Sequence, residues 1–159
     1  MKQKKIANWL KAITIILGIM GIVFFSGLTW MAFELRELRA YDERNPLWMW
    51  IFFSWYIAVL CYLILFEFWR ICTQIGKNNS FSKENARYFH HMGLYGIGGI
   101  IGFAGRLLWL AVIGRVDVLN VGFSIGEILL AGVFIVLCEA LSRLVRYAHD
   151  MKQENDLTI

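Results

Sequence analysis

The sequence predicts an all-α protein of the membrane: an integral four-helix bundle with cytoplasmic extensions of its third and fourth helices. Three observations carry this. Four apolar runs are each long enough to cross a bilayer, for which about 20 residues suffice. Polar segments that carry charges separate them. The composition, 58% hydrophobic and 18% charged, departs from the roughly 45–50% and about 25% of an ordinary soluble domain. The 159 residues suit a single membrane domain, 1–159, and leave no room for a separate soluble enzyme.

The first run follows the basic start MKQKKIANWLK and covers 12–33 without a formal charge. Such a start imitates a secretory leader. The run is longer than a leader's apolar core, however, and Trp30, Met31 and Phe33 stand where a cleavage site needs small residues. It is therefore read as the first span. The mixed-charge segment Glu34–Arg44 begins by extending that helix into water. Asn45 then suits a cap and Pro46 a first helical position, opening a second span over 47–69. Its uncharged core ends at Phe66; Glu67 and Arg70, three residues apart, share a helix face near the membrane surface.

A polar connector, 70–90, follows. Gly76 reads as a helix stop. Ser82 reads as the N-cap of the third helix, with Glu84 in its first turn, where a carboxylate favours the helix dipole. That helix starts in water near Lys83 and crosses the membrane over 91–114. Arg115 and Asp117 suit a tight, water-exposed turn into the fourth span, 118–141. The tail, 142–159, keeps a helical stripe of Leu141, Leu144, Val145, Ala148 and Met151.

The distribution of basic residues sets the orientation. Of the sixteen Lys and Arg, eleven (Lys2, Lys4, Lys5 and Lys11; Arg70, Lys77, Lys83 and Arg87; Arg143, Arg146 and Lys152) fall on one side. Four, Arg36, Arg39, Arg44 and Arg115, fall on the other, and Arg106 lies within a span. This excess predicts both termini and the connector in the cytoplasm. Trp9 and Trp69 at the inner interface, with Trp30, Trp48, Trp50 and Trp109 near the outer one, form an aromatic belt. The net charge of +4 is thereby spent on orientation rather than on nucleic acid, for which no direct binding is expected. Cys61, Cys72 and Cys138 lie in or beside apolar runs without a CxxC pair and read as reduced packing residues.

Arg106 and Glu127 are the charges set deepest in the apolar runs. Counted from the turn at about 1.5 Å per residue, they lie roughly 13 and 15 Å below it, at nearly one depth on neighbouring helices. A lone charge there costs about 2.5–3.5 kcal/mol and normally finds a partner inside the protein. An Arg106–Glu127 pair is the expectation. Gly98, Gly102 and Gly105 on the third span, and Gly122 and Gly126 on the fourth, are candidate helix-packing positions, because small residues at this spacing let backbones approach.

Catalytic and metal chemistry find little support. His90 and His91 have no third ligand at a readable spacing and read as interfacial histidines. Glu67 and Glu139 read as structural partners of Arg70 and Arg143. Ser26, Ser54 and Ser124 lack a readable His or Asp partner. Phosphate loops and dinucleotide fingerprints are absent. No cofactor is implied.

The connector GKNNSFSKEN, ahead of a span, and the C-terminal ENDLTI after a helical extension resemble the YoaS-like family of small bacterial membrane proteins. The sharper motifs are Phe81-Ser82-Lys83-Glu84-Asn85 and Glu154 to Ile159; Ser80 stands where the family usually has proline. The resemblance covers essentially the whole chain in length and hydropathy. It implies four membrane helices, no established enzymatic activity, and gene neighbourhood with a small Cro-type helix-turn-helix regulator.

The expectation is therefore a non-catalytic membrane protein that serves as regulatory or sensing partner of a cytoplasmic helix-turn-helix regulator. Phe81, Ser82, Glu84, Asn85, Glu154, Asn155, Asp156 and Leu157 are its candidate partner-binding residues. A small proton-coupled transporter or efflux component using the Arg106–Glu127 pair is the alternative. Besides the lipid bilayer, a second copy of the chain is a further candidate partner.

Overall fold

The structure, a computed structural model, describes residues 2–37, 47–114, 116 and 118–157, with side chains for 3–34 and 47–155 apart from 115 and 117. The expected restart at Asn45–Pro46 and the Arg115–Asp117 turn lie outside the described residues. Four helices follow one another: α1 (Lys2–Glu37), α2 (Leu47–Gly76), α3 (Lys83–Val112) and α4 (Val118–Leu157). Each is long and apolar enough to cross a membrane, so the chain is a multi-pass membrane protein.

The local signals place the helix ends. α2 stops at Gly76, and Asn78 then takes a positive φ of 59°, a conformation asparagine tolerates better than most side chains. The hydroxyl of Ser82 accepts from the Asn85 backbone N–H at 3.2 Å and so satisfies one of the free donors that open a helix. Hydrogen bonds from its own backbone N–H and from Ser82 hold the Glu84 carboxyl below the usual carboxylate range. At the far end of α3, Gly114 adopts a φ of 70° just beyond the last turn, where a left-handed residue ends a helix without a Cβ penalty.

The helices pack as a row in chain order. α3 and α4 share the largest interface, α1 and α2 the next, and α2 bridges to α3; among the described residues α1 makes no backbone approach to α3 or α4. Burial is greatest in α3, where 22% of the most apolar window is buried, against 11% in α4 and 6% in α1 and in α2. α3 is thus the central helix at the connector end, where Ile71, Met92 and Cys138 pack together. Most of the remaining apolar surface faces outward, which in a bilayer leaves lipid to cover it.

Tyrosine hydroxyls tie α2 to both neighbours. Tyr62 donates to the Gly18 carbonyl of α1 at 2.7 Å, and Tyr56 donates to the Gly98 carbonyl of α3 at 2.9 Å. Glycine leaves its carbonyl open to such an approach, and in hydrocarbon an unmet hydroxyl is costly.

The glycines of α3 divide between its two neighbours. A Cβ on Gly98 would touch Leu60, and one on Gly102 would come within 2.6 Å of the Tyr56 ring. Both therefore pack on α2. Gly93 and Gly96 meet α4 instead, at Cys138 and at Ile135 with Phe134. Gly105, Gly122 and Gly126, also candidates for helix packing, have nothing within 4 Å of an added Cβ, so no described neighbour packs against them. The tail stripe is also divided: Val145 is buried, whereas Leu144 and Met151 are exposed.

Candidate functional site

Charged side chains paired between helices collect at two levels of this apolar frame. In the half of the α3–α4 hairpin away from the connector, Arg106 Nη2 donates to Glu127 Oε2 at 2.8 Å and to Ser124 Oγ at 2.7 Å. Ser124 is fully buried, while the side chains of Arg106 and Glu127 remain 21% and 37% exposed. The guanidinium cannot lose its charge, so the carboxylate opposite it is what makes its insertion tolerable. Arg106 Nε and the indole N–H of Trp109, one turn further on, are buried with no acceptor among the described residues. Ser124 was not singled out as a partner in the sequence. Its place three residues before Glu127, on one helix face, is the signal that could have found it.

At the connector end, two consecutive histidines reach in different directions. His91 Nδ1 lies 3.1 Å from Glu67 of α2, and His90 Nδ1 lies 3.0 Å from Glu139 of α4. Each carboxylate has an arginine of its own helix as well: Arg70 at 3.5 Å from Glu67 and Arg143 at 3.1 Å from Glu139. Glu67 is buried, and the Arg70 guanidinium also lies over the Phe66 and Tyr88 rings. The arginine partners are those the local spacing suggests; the histidine partners are not local. Matching depths were the available signal, since Glu67 and His91 are nine and eight residues from the helix ends at Gly76 and Lys83.

The connector is built inward from Asn85. Its side-chain amide donates to the Asn79 and Ser80 carbonyls at 3.3 and 2.9 Å. α4 holds the same segment from its other side. Ser142 donates to the Ala86 carbonyl at 2.7 Å, and His149 Nδ1 donates to the Phe81 carbonyl at 3.1 Å. Ser82 and Asn85 are consequently buried. As structural cap and brace they are unavailable to a partner, which corrects their placing among the recognition candidates. Phe81 and Glu84 are exposed, as are Glu154 and Asn155 on the last turns of α4. The side chains of Asp156 and Leu157 lie outside the described residues.

Chemically, these arrangements can stabilise charge in an apolar medium, exchange a proton, and present surface. Among the described residues, no group of three or more His, Cys, Asp or Glu could hold a metal ion. The comparisons with curated proteins and with solved structures return no match. A family model described as "Protein of unknown function (DUF2975)" matches residues 36–159, a stretch that takes in the last three helices, the connector and both polar levels. The chain is a member of this family, a multi-pass membrane protein with no catalytic activity assigned.

Proposed function

We propose that the protein is a non-catalytic regulator of a bacterial inner membrane that presents its connector to a cytoplasmic partner. The observation that carries this reading is the combination of order and exposure at Phe81. Its carbonyl is tied to α4 through His149, and its neighbours are braced by Asn85, yet its ring stays 57% exposed. An exposed aromatic side chain on a braced backbone at an aqueous tip is a suitable anchor for recognition. Glu84 beside it, with Glu154 and Asn155 on α4, adds polar groups to the same end of the molecule. The basic residues at this end support a cytoplasmic location, and the YoaS-like resemblance supplies the partner class, a small helix-turn-helix regulator.

The test is co-purification of the full chain with that regulator from membranes. Phe81→Ser and deletion of 152–159 are each expected to lower recovery of the partner at least tenfold, with membrane insertion unchanged. Undiminished recovery from both variants contradicts the reading.

A proton-coupled transporter is the second reading, favoured by one observation. The Arg106–Glu127 pair is accompanied by two buried donors, Arg106 Nε and Trp109 Nε1, that have no acceptor among the described residues. Substrate flux in liposomes that responds to a proton gradient and disappears in Glu127→Gln supports transport and removes the regulator from first place.

A further inference from the structure

The face of α4 turned away from α3 is a continuous apolar seam with a heptad period. Starting at Leu119, steps of four and three residues in strict alternation land on apolar residues as far as Met151. One set of positions is Phe123, Leu130, Leu137, Leu144 and Met151; the other is Leu119, Gly126, Val133, Ala140 and Tyr147. The large side chains among them are 47–74% exposed. The residues that α4 turns toward α3 and the connector, Ile135 at Gly96, Ser142 at Ala86 and His149 at Phe81, lie on the opposite side of the helix. A repeat held at 3.5 residues, rather than 3.6, is the pattern of two helices winding left-handedly about each other.

The seam does not stop where the membrane does. The Glu139–Arg143–His90 cluster marks the end of the apolar part of the α3–α4 hairpin, and Leu144, Tyr147 and Met151 continue beyond it. Lipid can cover the first half of the seam. Water is all that would meet the second half, so burial of those three side chains gives a driving force that packing within lipid lacks.

We propose that a second copy of this chain covers the seam, forming a parallel α4–α4 coiled coil. Copies inserted the same way present their α4 helices parallel and in register, so each seam position meets its own equivalent about a two-fold axis along the membrane normal. The exposed seam amounts to roughly 900 Å² per copy, taking about 180 Å² for a fully accessible large side chain, comparable with the per-partner area of a stable interface. The flanking positions agree. In such a coil Arg143 faces Ala148 of the second copy and Asp150 faces Asn155, so like charges are not opposed. Gly122 faces Glu127 of the second copy, and the space beside Gly122 is open. The second copy thereby covers the edge of the intramembrane carboxylate that a single chain leaves exposed.

The coil is independent of the partner proposed for Phe81, which lies on the α3 side of α4. It is tested in the full chain by oxidative cross-linking in native membranes, with exposed Cys61 replaced by alanine. Cysteines at Leu144, Tyr147 and Met151 are expected to form disulfide dimers at least tenfold more efficiently than cysteines at Arg146 and Gln153, which lie off the seam. In lipid nanodiscs, subunit counting should find two copies, and Leu144→Lys combined with Met151→Lys should raise the dissociation constant at least 100-fold. Both substitutions are at exposed positions, and retention of helical content checks that the variant remains folded. Equal cross-linking at all five positions, a single copy in nanodiscs, or a dimer unaffected by the double substitution overturns the proposal.

Discussion

Glu127→Leu is expected to lower the stability of the detergent-solubilised protein by about 2.5–3.5 kcal/mol, the insertion cost of a lone central charge. The asymmetry of the pair is the reason. Arg106 keeps its charge once Glu127 is gone, and the Ser124 hydroxyl that remains is neutral. Arg106→Leu leaves a carboxylate that can take up a proton and become neutral, so its cost is expected to be smaller, about 1–2 kcal/mol. The double leucine variant should recover most of the loss, as replacement of both members of a buried pair commonly does. Thermal unfolding of the three variants measures the coupling. Equal destabilisation in all three would show that the 2.8 Å contact contributes nothing of its own.

Gly102→Ala should destabilise the bundle by about 1–3 kcal/mol, the usual range for overpacking. The new methyl group would stand 2.6 Å from Tyr56 Cε1, and that ring cannot simply swing aside, because its hydroxyl is bonded to the Gly98 carbonyl. α2 and α3 must separate or the hydrogen bond must break. Gly105→Ala is the matched control: the same helix and substitution, with open space around the new Cβ, and a small gain in helix propensity. Comparable losses in the two variants would show that α2 does not approach α3 at Gly102.

These two sites show how differently sequence and structure divide the information. The spans were legible because a bilayer imposes length and apolarity on each segment separately. The start of α3 was legible because Ser82, Glu84 and the helix they open are neighbours in sequence. Arg106 and Glu127 could be matched by depth, a one-dimensional count from a turn. Which side of a helix meets which neighbour is not a one-dimensional property. Gly98 and Gly102 lie on the same helix as Gly93 and Gly96, yet the first pair meets α2 and the second α4. Spacing marks Gly98 and Gly102 as packing positions without saying which neighbour they meet. Likewise the partners of His91 and His90 are 24 and 49 residues away. Only the row order of the helices puts Glu67 on one side of α3 and Glu139 on the other.

The row also explains why Asn85 was misread from sequence. A polar residue beside a helix start suggests a surface for recognition. Here the α4 extension passes alongside, and Asn85 turns inward to meet the Asn79 and Ser80 carbonyls. The Asn85 amide is buried, and a buried donor without a partner costs about 1–3 kcal/mol, so bonding to the loop takes precedence over display. Display falls to Phe81.

The central claim is a four-span chain whose connector faces the cytoplasm and whose α1–α2 segment faces outward. Single cysteines at Asn78 and Asp42, treated in intact cells with a membrane-impermeant thiol reagent, test it most directly. Labelling of the Asp42 variant alone, with Asn78 becoming reactive only after lysis, is the predicted result. Protection at Asp42, or labelling at Asn78 in intact cells, would contradict it.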